Sequence, residues 1–224
     1  MEKYKLEIAC FNLKSALIAQ ENGADRVELC ANMKEGGTTP DFKIAEQARK
    51  ELDIDLNVMI RPRGGDFVYT DAEFEQMKSE IVALKKLNID GFVFGILDRE
   101  GNVNMDQNQE LVALADPIPC TFHRAFDVVN NMYQSLENVI ECGFKTILTS
   151  GQKENVVEGI TILAELVKKA NNRIVIMPGG GLRSTNIGLL KQKTNATFYH
   201  SSAIVELGET ANGGEVKALK GKIG

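Results

Sequence analysis

Histidine, cysteine and tryptophan are all scarce in this chain, at 2, 4 and 0 of 224 residues. Cys10, Cys30, Cys120 and Cys142 stand far apart with no CxxC. That pattern speaks against a structural zinc site and against a disulfide framework. No apolar run approaches the ~20 residues of a membrane span, and Met1 to Lys5 lead straight into a strand-like run with no leader-type apolar stretch. The expected compartment is the cytoplasm. Basic residues (26) do not exceed acidic ones (31), and the two signs are well mixed, so there is no basic face for nucleic acid. No G-x-G-x-x-G follows the first strand-like run, and G-x-S-x-G, HExxH and the P-loop are missing too.

What is present is alternation. Short apolar runs at 6–10, 26–30, 56–61, 91–95, 120–124, 146–149, 174–177 and 197–200 read as strands. Helical periodicity fills 13–22, 41–52, 71–87, 105–115, 132–142 and 154–169, and more weakly 185–191. Thr70 with Glu73 forms a capping-box pattern, and Asn22-Gly23, Asn88 and Cys142-Gly143 read as helix stops. Eight strands alternating with helices fit an α/β (β/α)8 (TIM) barrel, a single domain over 1–224, better than an open doubly wound sheet. The strands are continuously apolar, as expected when both faces are covered. The stretch 203–224 is brief, with Gly213-Gly214 ahead of a short apolar segment, so the eighth helix is expected to be short or displaced.

In such a barrel chemistry sits at the C-terminal ends of the strands. Glu7 and Glu28 lie within apolar strands, where a charge needs a partner. Facing Arg61 and Arg124, they would form a buried network, serving either as acid/base groups or as a structural salt-bridge layer. Arg61 and Arg63, on a turn stiffened by Pro62, Gly64 and Gly65, suit a carboxylate or phosphate, or else a plain ion pair with Glu28 or Asp66. Gly179, Gly180 and Gly181 after strand 7 and Ser201-Ser202 after strand 8 occupy loops that often cradle phosphate in barrels. Thr149, Ser150 and Gly151 would add donors. His123 and His200 are acid/base groups, metal ligands or hydrogen-bonded structural residues. Asp127 pairs with His123 or with Arg124.

The runs Glu28-Leu29-Cys30, Glu35-Gly36-Gly37-Thr38-Thr39-Pro40, Ile60-Arg61-Pro62-Arg63-Gly64-Gly65-Asp66-Phe67, Thr121-Phe122-His123-Arg124-Ala125-Phe126-Asp127, Leu148-Thr149-Ser150-Gly151 and Met177-Pro178-Gly179-Gly180-Gly181 together resemble the CutC family, from Glu7 to about Ser202. The resemblance implies a cytoplasmic barrel, a homodimer, and Cu(I) held by two cysteines that match Cys10 and Cys30. These end adjacent strands, ~4.8 Å apart in a sheet, so two thiols would face one another beside Arg61 or Arg63, which would lower a thiol pKa; the alternative is that they fill the tight barrel top. The tail after Ser202 is shorter than the family pattern. Three readings remain open: a copper(I) carrier built on Cys10 and Cys30, an enzyme for a small anionic or phosphorylated metabolite, or a barrel whose rim network is only structural. In the enzyme, Arg61, Arg63, Arg124, the glycine loop and Ser201 would bind the anion, and Glu7, Glu28 or His123 would move protons.

Overall fold

The computed structural model describes residues 4–224; Met1 to Lys3, part of the N-terminal reading above, lie outside them. Eight strands and eight helices alternate in chain order. They are β1 (Lys5–Cys10), α1 (Leu13–Glu21), β2 (Arg26–Leu29), α2 (Phe42–Glu51), β3 (Asp55–Met59), α3 (Asp71–Lys85), β4 (Gly91–Phe94) and α4 (Met105–Ala115). Then come β5 (Cys120–Phe122), α5 (Met132–Glu141), β6 (Thr146–Thr149), α6 (Ile160–Ala170), β7 (Val175–Pro178), α7 (Ile187–Thr194), β8 (Phe198–Ser201) and α8 (Gly213–Ile223). All ladders are parallel, each strand pairing with the next from β1 to β7, and β1 pairing also with β8. β7 and β8 run side by side and complete the ring. No helix among the described residues is long and apolar enough to cross a membrane.

Asparagine supplies most of the helix starts. The side chains of Asn12, Asn104, Asn131 and Asn212 each accept from the backbone N–H three residues on, and Asp41 does the same two residues on. Each such cap contributes about 1 kcal/mol. The Thr70–Glu73 capping box forms as expected. Two expectations fail. Helix α6 begins at Ile160 and not near residue 154, because Gly159 presses on the β6 loop: a Cβ there would lie 1.8 Å from the Ser150 carbonyl oxygen. Helix α8 is neither short nor displaced. It matches α4 and α6 in length and buries Val216, Leu219 and Ile223 completely, against α7, α1 and β1. Burial of three such side chains, at roughly 1.5–3 kcal/mol each, holds it in the ring.

The period-2 alternation of strands sorts the side chains. Leu6, Ile8, Cys10, Val27, Leu29, Leu56, Val58, Phe92 and Phe94 join the main core between strands and helices. Glu7, Arg26, Glu28, Cys30, Asn57, Met59, Val93, His123, Leu148, Met177, Phe198 and His200 take the opposite parity and fill the barrel. Inside it, two small apolar groups, Cys30–Met59–Val93 and Leu148–Met177–Phe198, flank the charged residues. Gly91 leaves the room that Asn57 occupies, since a Cβ there would fall 2.2 Å from Asn57 Oδ1.

Candidate functional site

Parallel register aligns the charged row. Glu7 lies opposite Arg26 on β2 and opposite His200 on β8. Arg26 Nε donates to Glu7 Oε2 at 2.5 Å and His200 Nδ1 lies 2.7 Å from Glu7 Oε1. Burial by itself would raise the Glu7 carboxyl; Arg26 and the His200 hydrogen bond outweigh it and bring it down to about 2. Burial works against protonation of His200 too, yet Glu28 and Glu7 together raise its pKa, so its Nδ1–H donates to the Glu7 carboxylate.

Glu28 sits one row higher, level with Ala9 and Asn57. Its Oε2 lies 3.9 Å from His200 Nε2 and accepts from Cys30 Sγ at 3.5 Å. Its Oε1 has no partner. Burial pushes this carboxyl up, His200 pulls it down and Glu7 pushes it up again, leaving it at about 7. One ligand atom each from Glu7, Glu28 and His200 fall within 4.8 Å of one another, a spacing open to a cation. Arg26 already neutralises Glu7, so the group is held together as an ion-paired network.

Glu28 opens into a cavity of about 330 Å³ at the C-terminal end of the strands, lined also by Cys30, Met59, Arg61, Phe67 and His123. Arg61 is buried, and its Nη1 donates to the carbonyls of Glu35 (2.8 Å) and Gly37 (2.9 Å), its Nη2 to that of Gly65 (2.9 Å). Its Nε has no partner. His123 Nδ1 accepts from the backbone N–H of Ala125 at 3.3 Å, which places the ring proton on Nε2. That buried Nε2–H has no partner either. Burial, aided by Arg61, holds the His123 pKa down at about 3, so the imidazole is a neutral donor. The Phe67 ring lies against both groups, 4.8 Å from the Arg61 guanidinium carbon and 4.9 Å from the His123 ring centroid.

The family model described as "CutC family" matches residues 4–205. The chain belongs to the CutC family. A family protein CutC from Parabacteroides distasonis is 46% identical over 199 residues, 88% of this chain and 82% of its own length. The human relative, named a copper homeostasis protein cutC homolog, is 40% identical over 200 residues, 89% of this chain and 73% of its own length. The solved CutC structure from Streptococcus agalactiae superposes with a TM-score of 0.85 at 34% identity, covering 89% of this chain and 98% of that one. Phosphoribosyl anthranilate isomerase from Thermotoga maritima, at 17% identity and a TM-score of 0.67 over 98% of both chains, shares the fold.

Within this CutC barrel the expected site residues separate. Glu28, Cys30, Arg61, His123, Arg124 and His200 line one cavity. Glu7 lies beneath it. The expected partnership of the glutamates with Arg61 and Arg124 does not form: Arg61 is satisfied by carbonyls, Arg124 Nε pairs with Asp127 at 2.7 Å, and Arg26 takes the role at Glu7. Arg63 points away into Glu73 (2.6 Å) and Asp66 (3.0 Å) and holds the start of α3. Ser201 Oγ donates to the Leu182 carbonyl at 2.7 Å and accepts from Ala203 N–H, tying the β7 and β8 loops together. Gly179, Gly180 and Gly181 lie outside the residues lining the cavity; Gly180 packs against Arg124 and Ser150.

The two thiols do not share a face. Cys10 is opposite Leu29 in the register and joins the helix-side core, whereas Cys30 keeps the parity of Glu28 and lines the cavity. Neither arginine lowers a thiol: burial first, then Glu28, pushes both Cys10 and Cys30 well above the usual range. All four cysteines are buried. A disulfide-exchange reagent at pH 8 is therefore expected to titrate fewer than one thiol per native chain within minutes and four after unfolding in guanidinium, because the thiolate is the reactive form. Rapid native reaction at Cys30 would show its sulfur to be ionised and accessible.

Arg26, Asn57 and Phe67 were not expected at the site. Arg26 was legible: it stands two before Glu28 on one strand and shares its face.

Proposed function

We propose that this chain is a proton-transfer enzyme for a small anionic carbonyl compound bound in the cavity. The observation that carries this reading is that Glu28, Arg61 and His123, each with a buried side-chain atom that lacks a partner among the described residues (Oε1, Nε and Nε2), line one cavity. Buried polar groups are normally satisfied, so three together define what a ligand must supply: acceptors for Arg61 and His123, and a proton to exchange with Glu28. Glu28 takes a proton from the carbon next to the carbonyl. The C–H electron pair becomes the enolate, whose oxygen accepts from His123 and Arg61, and the proton returns to carbon or to a neighbouring atom. A carboxyl that titrates near 7 suits this shuttle at neutral pH, and a neutral imidazole is a fitting donor to an enolate.

The test is deuterium wash-in at the α-carbon of a panel of oxo acids and sugar phosphates in D2O, followed by proton NMR. Glu28→Gln is expected to reduce wash-in of the active compound by 10²–10⁴, and Arg61→Ala to weaken its binding at least tenfold. Wash-in that ignores Glu28→Gln would remove the reading.

A second reading, copper(I) as cargo in the cytoplasm, draws on the names of the relatives and on one feature of the cavity. Cys30 packs against Met59 there, and thiolate with thioether suits Cu(I). On this reading Cys30→Ser abolishes Cu(I) binding measured against a chromogenic chelator, while Cys10→Ser, on the opposite face, leaves it in place. Loss through both would restore the two-cysteine site.

A further inference from the structure

A second cluster of polar groups borders the cavity and faces inward on itself. At the end of β6 the backbone turns through Gly151 (φ +75°) and Gln152 (φ +57°). A turn of this kind gathers backbone N–H groups into a concavity of the type that binds phosphate in many proteins, here those of Ser150 and Gln152, with Gly151 N–H turned to Thr149 Oγ1. That concavity is filled. The Asp127 carboxylate accepts from Ser150 N–H (3.0 Å), Gln152 N–H (3.2 Å), the Thr149 hydroxyl (2.5 Å) and Arg124 Nε (2.7 Å). Thr149 Oγ1 in turn accepts from Gly151 N–H, and Arg124 Nη2 donates to Ser150 Oγ. These are the contacts a phosphate would make, supplied to a side chain of the same molecule.

Two further facts bear on what the cavity admits. Among the described residues, Arg61 is an arginine of the cavity with no carboxylate in ion-pair range; its satisfied N–H groups point at carbonyls, and its Nε has no hydrogen-bond partner. With His123 Nε2–H that makes two buried donors side by side, a match for the oxygens of a carboxylate or enolate. The flat face of Phe67 beside both donors favours a planar group.

We propose that Asp127 is a built-in anion occupying the phosphate-type cradle of the β6 turn, so that the cavity takes a small planar carboxylate on Arg61 and His123 and rejects phosphorylated ligands. This narrows the ligand class of the proton-transfer reading and rests on it. The carboxylate also marks the chemistry around the reaction: its substrate comes from, or its product goes to, reactions of unphosphorylated oxo acids.

Two probes separate the parts. Oxalate mimics an enolised oxo acid; inorganic phosphate tests the cradle. Binding is followed by thermal shift and, for phosphate, by 31P line broadening, in wild type, Arg61→Ala, Asp127→Ala and the near-isosteric Asp127→Asn, which keeps an acceptor for the turn should the alanine variant fold poorly. Wild type is expected to bind oxalate at least tenfold more tightly than phosphate, with the oxalate response lost in Arg61→Ala. Asp127→Ala is expected to gain phosphate affinity at least tenfold, and Asp127→Asn to gain it to a smaller degree. Phosphate binding to wild type as tightly as oxalate, or no gain in either Asp127 variant, overturns the built-in anion while leaving the proton-transfer reading intact. Oxalate binding that is absent or indifferent to Arg61→Ala overturns that reading and the ligand class with it.

Discussion

Replacing Arg26 with alanine is expected to destabilise the protein by about 3–5 kcal/mol at pH 7, the range for removing one partner of a buried ion pair. Glu7 is fully buried and Arg26 nearly so. Without the guanidinium, the carboxylate would keep only His200 and the long contact from Asn57 Nδ2 at 3.5 Å. The lost packing is also large, because the Arg26 head lies 4.1 Å over the Phe198 ring. Urea denaturation of wild type and variant measures the cost, and a loss below about 1 kcal/mol would mean that Arg26 does not hold the Glu7 charge. The pH dependence has a definite sign. The Glu7 pKa is depressed from its ordinary 4.5 to about 2 in the fold, so its contribution is fully present above about pH 4.5 and is lost as pH falls towards 2. Arg26→Ala should flatten that acid limb. Replacing both charges, as Glu7→Gln with Arg26→Met, should recover part of the loss, since no buried carboxylate is then left without its cation.

Glu28→Gln is expected to act in the opposite direction and to stabilise the protein at pH 8. The folded carboxyl titrates at about 7 against an ordinary 4.5. A raised pKa means stability that is fully present below about pH 4.5 and is lost as pH rises through 7. The difference corresponds to about 3 kcal/mol at most. Glutamine keeps the shape of the protonated acid and cannot ionise, so the variant should exceed wild type by up to that amount at pH 8 and match it near pH 4.5. Equal stability at both pH values would show that the Glu28 carboxyl is not strained by burial. A gain in stability together with a loss of proton exchange would mark Glu28 as a residue kept for chemistry at the expense of the fold.

The same residue shows why the rim was only partly legible. An acid inside an apolar strand announces itself, and Glu7 and Glu28 were both visible in that way. The alternation of side chains along a strand also separates Glu28 and Cys30 from Leu29 without any coordinates. Partners are a different matter. Whether Cys10 faces Cys30 depends on the stagger between β1 and β2, and the observed pairing of Cys10 with Leu29 puts the two sulfurs on opposite faces. Arg61 and Arg63 are near-identical as sequence signals, two residues apart on one turn. One is buried on carbonyls beside the cavity, while the other is drawn off by Glu73 at the start of α3. The glycines after β7 and the turn after β6 looked alike as anion loops until Asp127 proved to fill the second.

By itself, the sequence determined the alternation of eight strands and helices, the membership of the CutC family, the Thr70–Glu73 capping box and the residue types gathered at the strand ends. These follow from local periodicity and from chemistry confined to neighbouring residues. The tertiary structure decided which charges meet, which thiol sees the cavity and which donors stay unpaired, because those depend on parallel register and on loops brought together from distant parts of the chain. It also decided the protonation of Glu28 and His123, since burial, the largest influence on both, exists only once the barrel has closed around them.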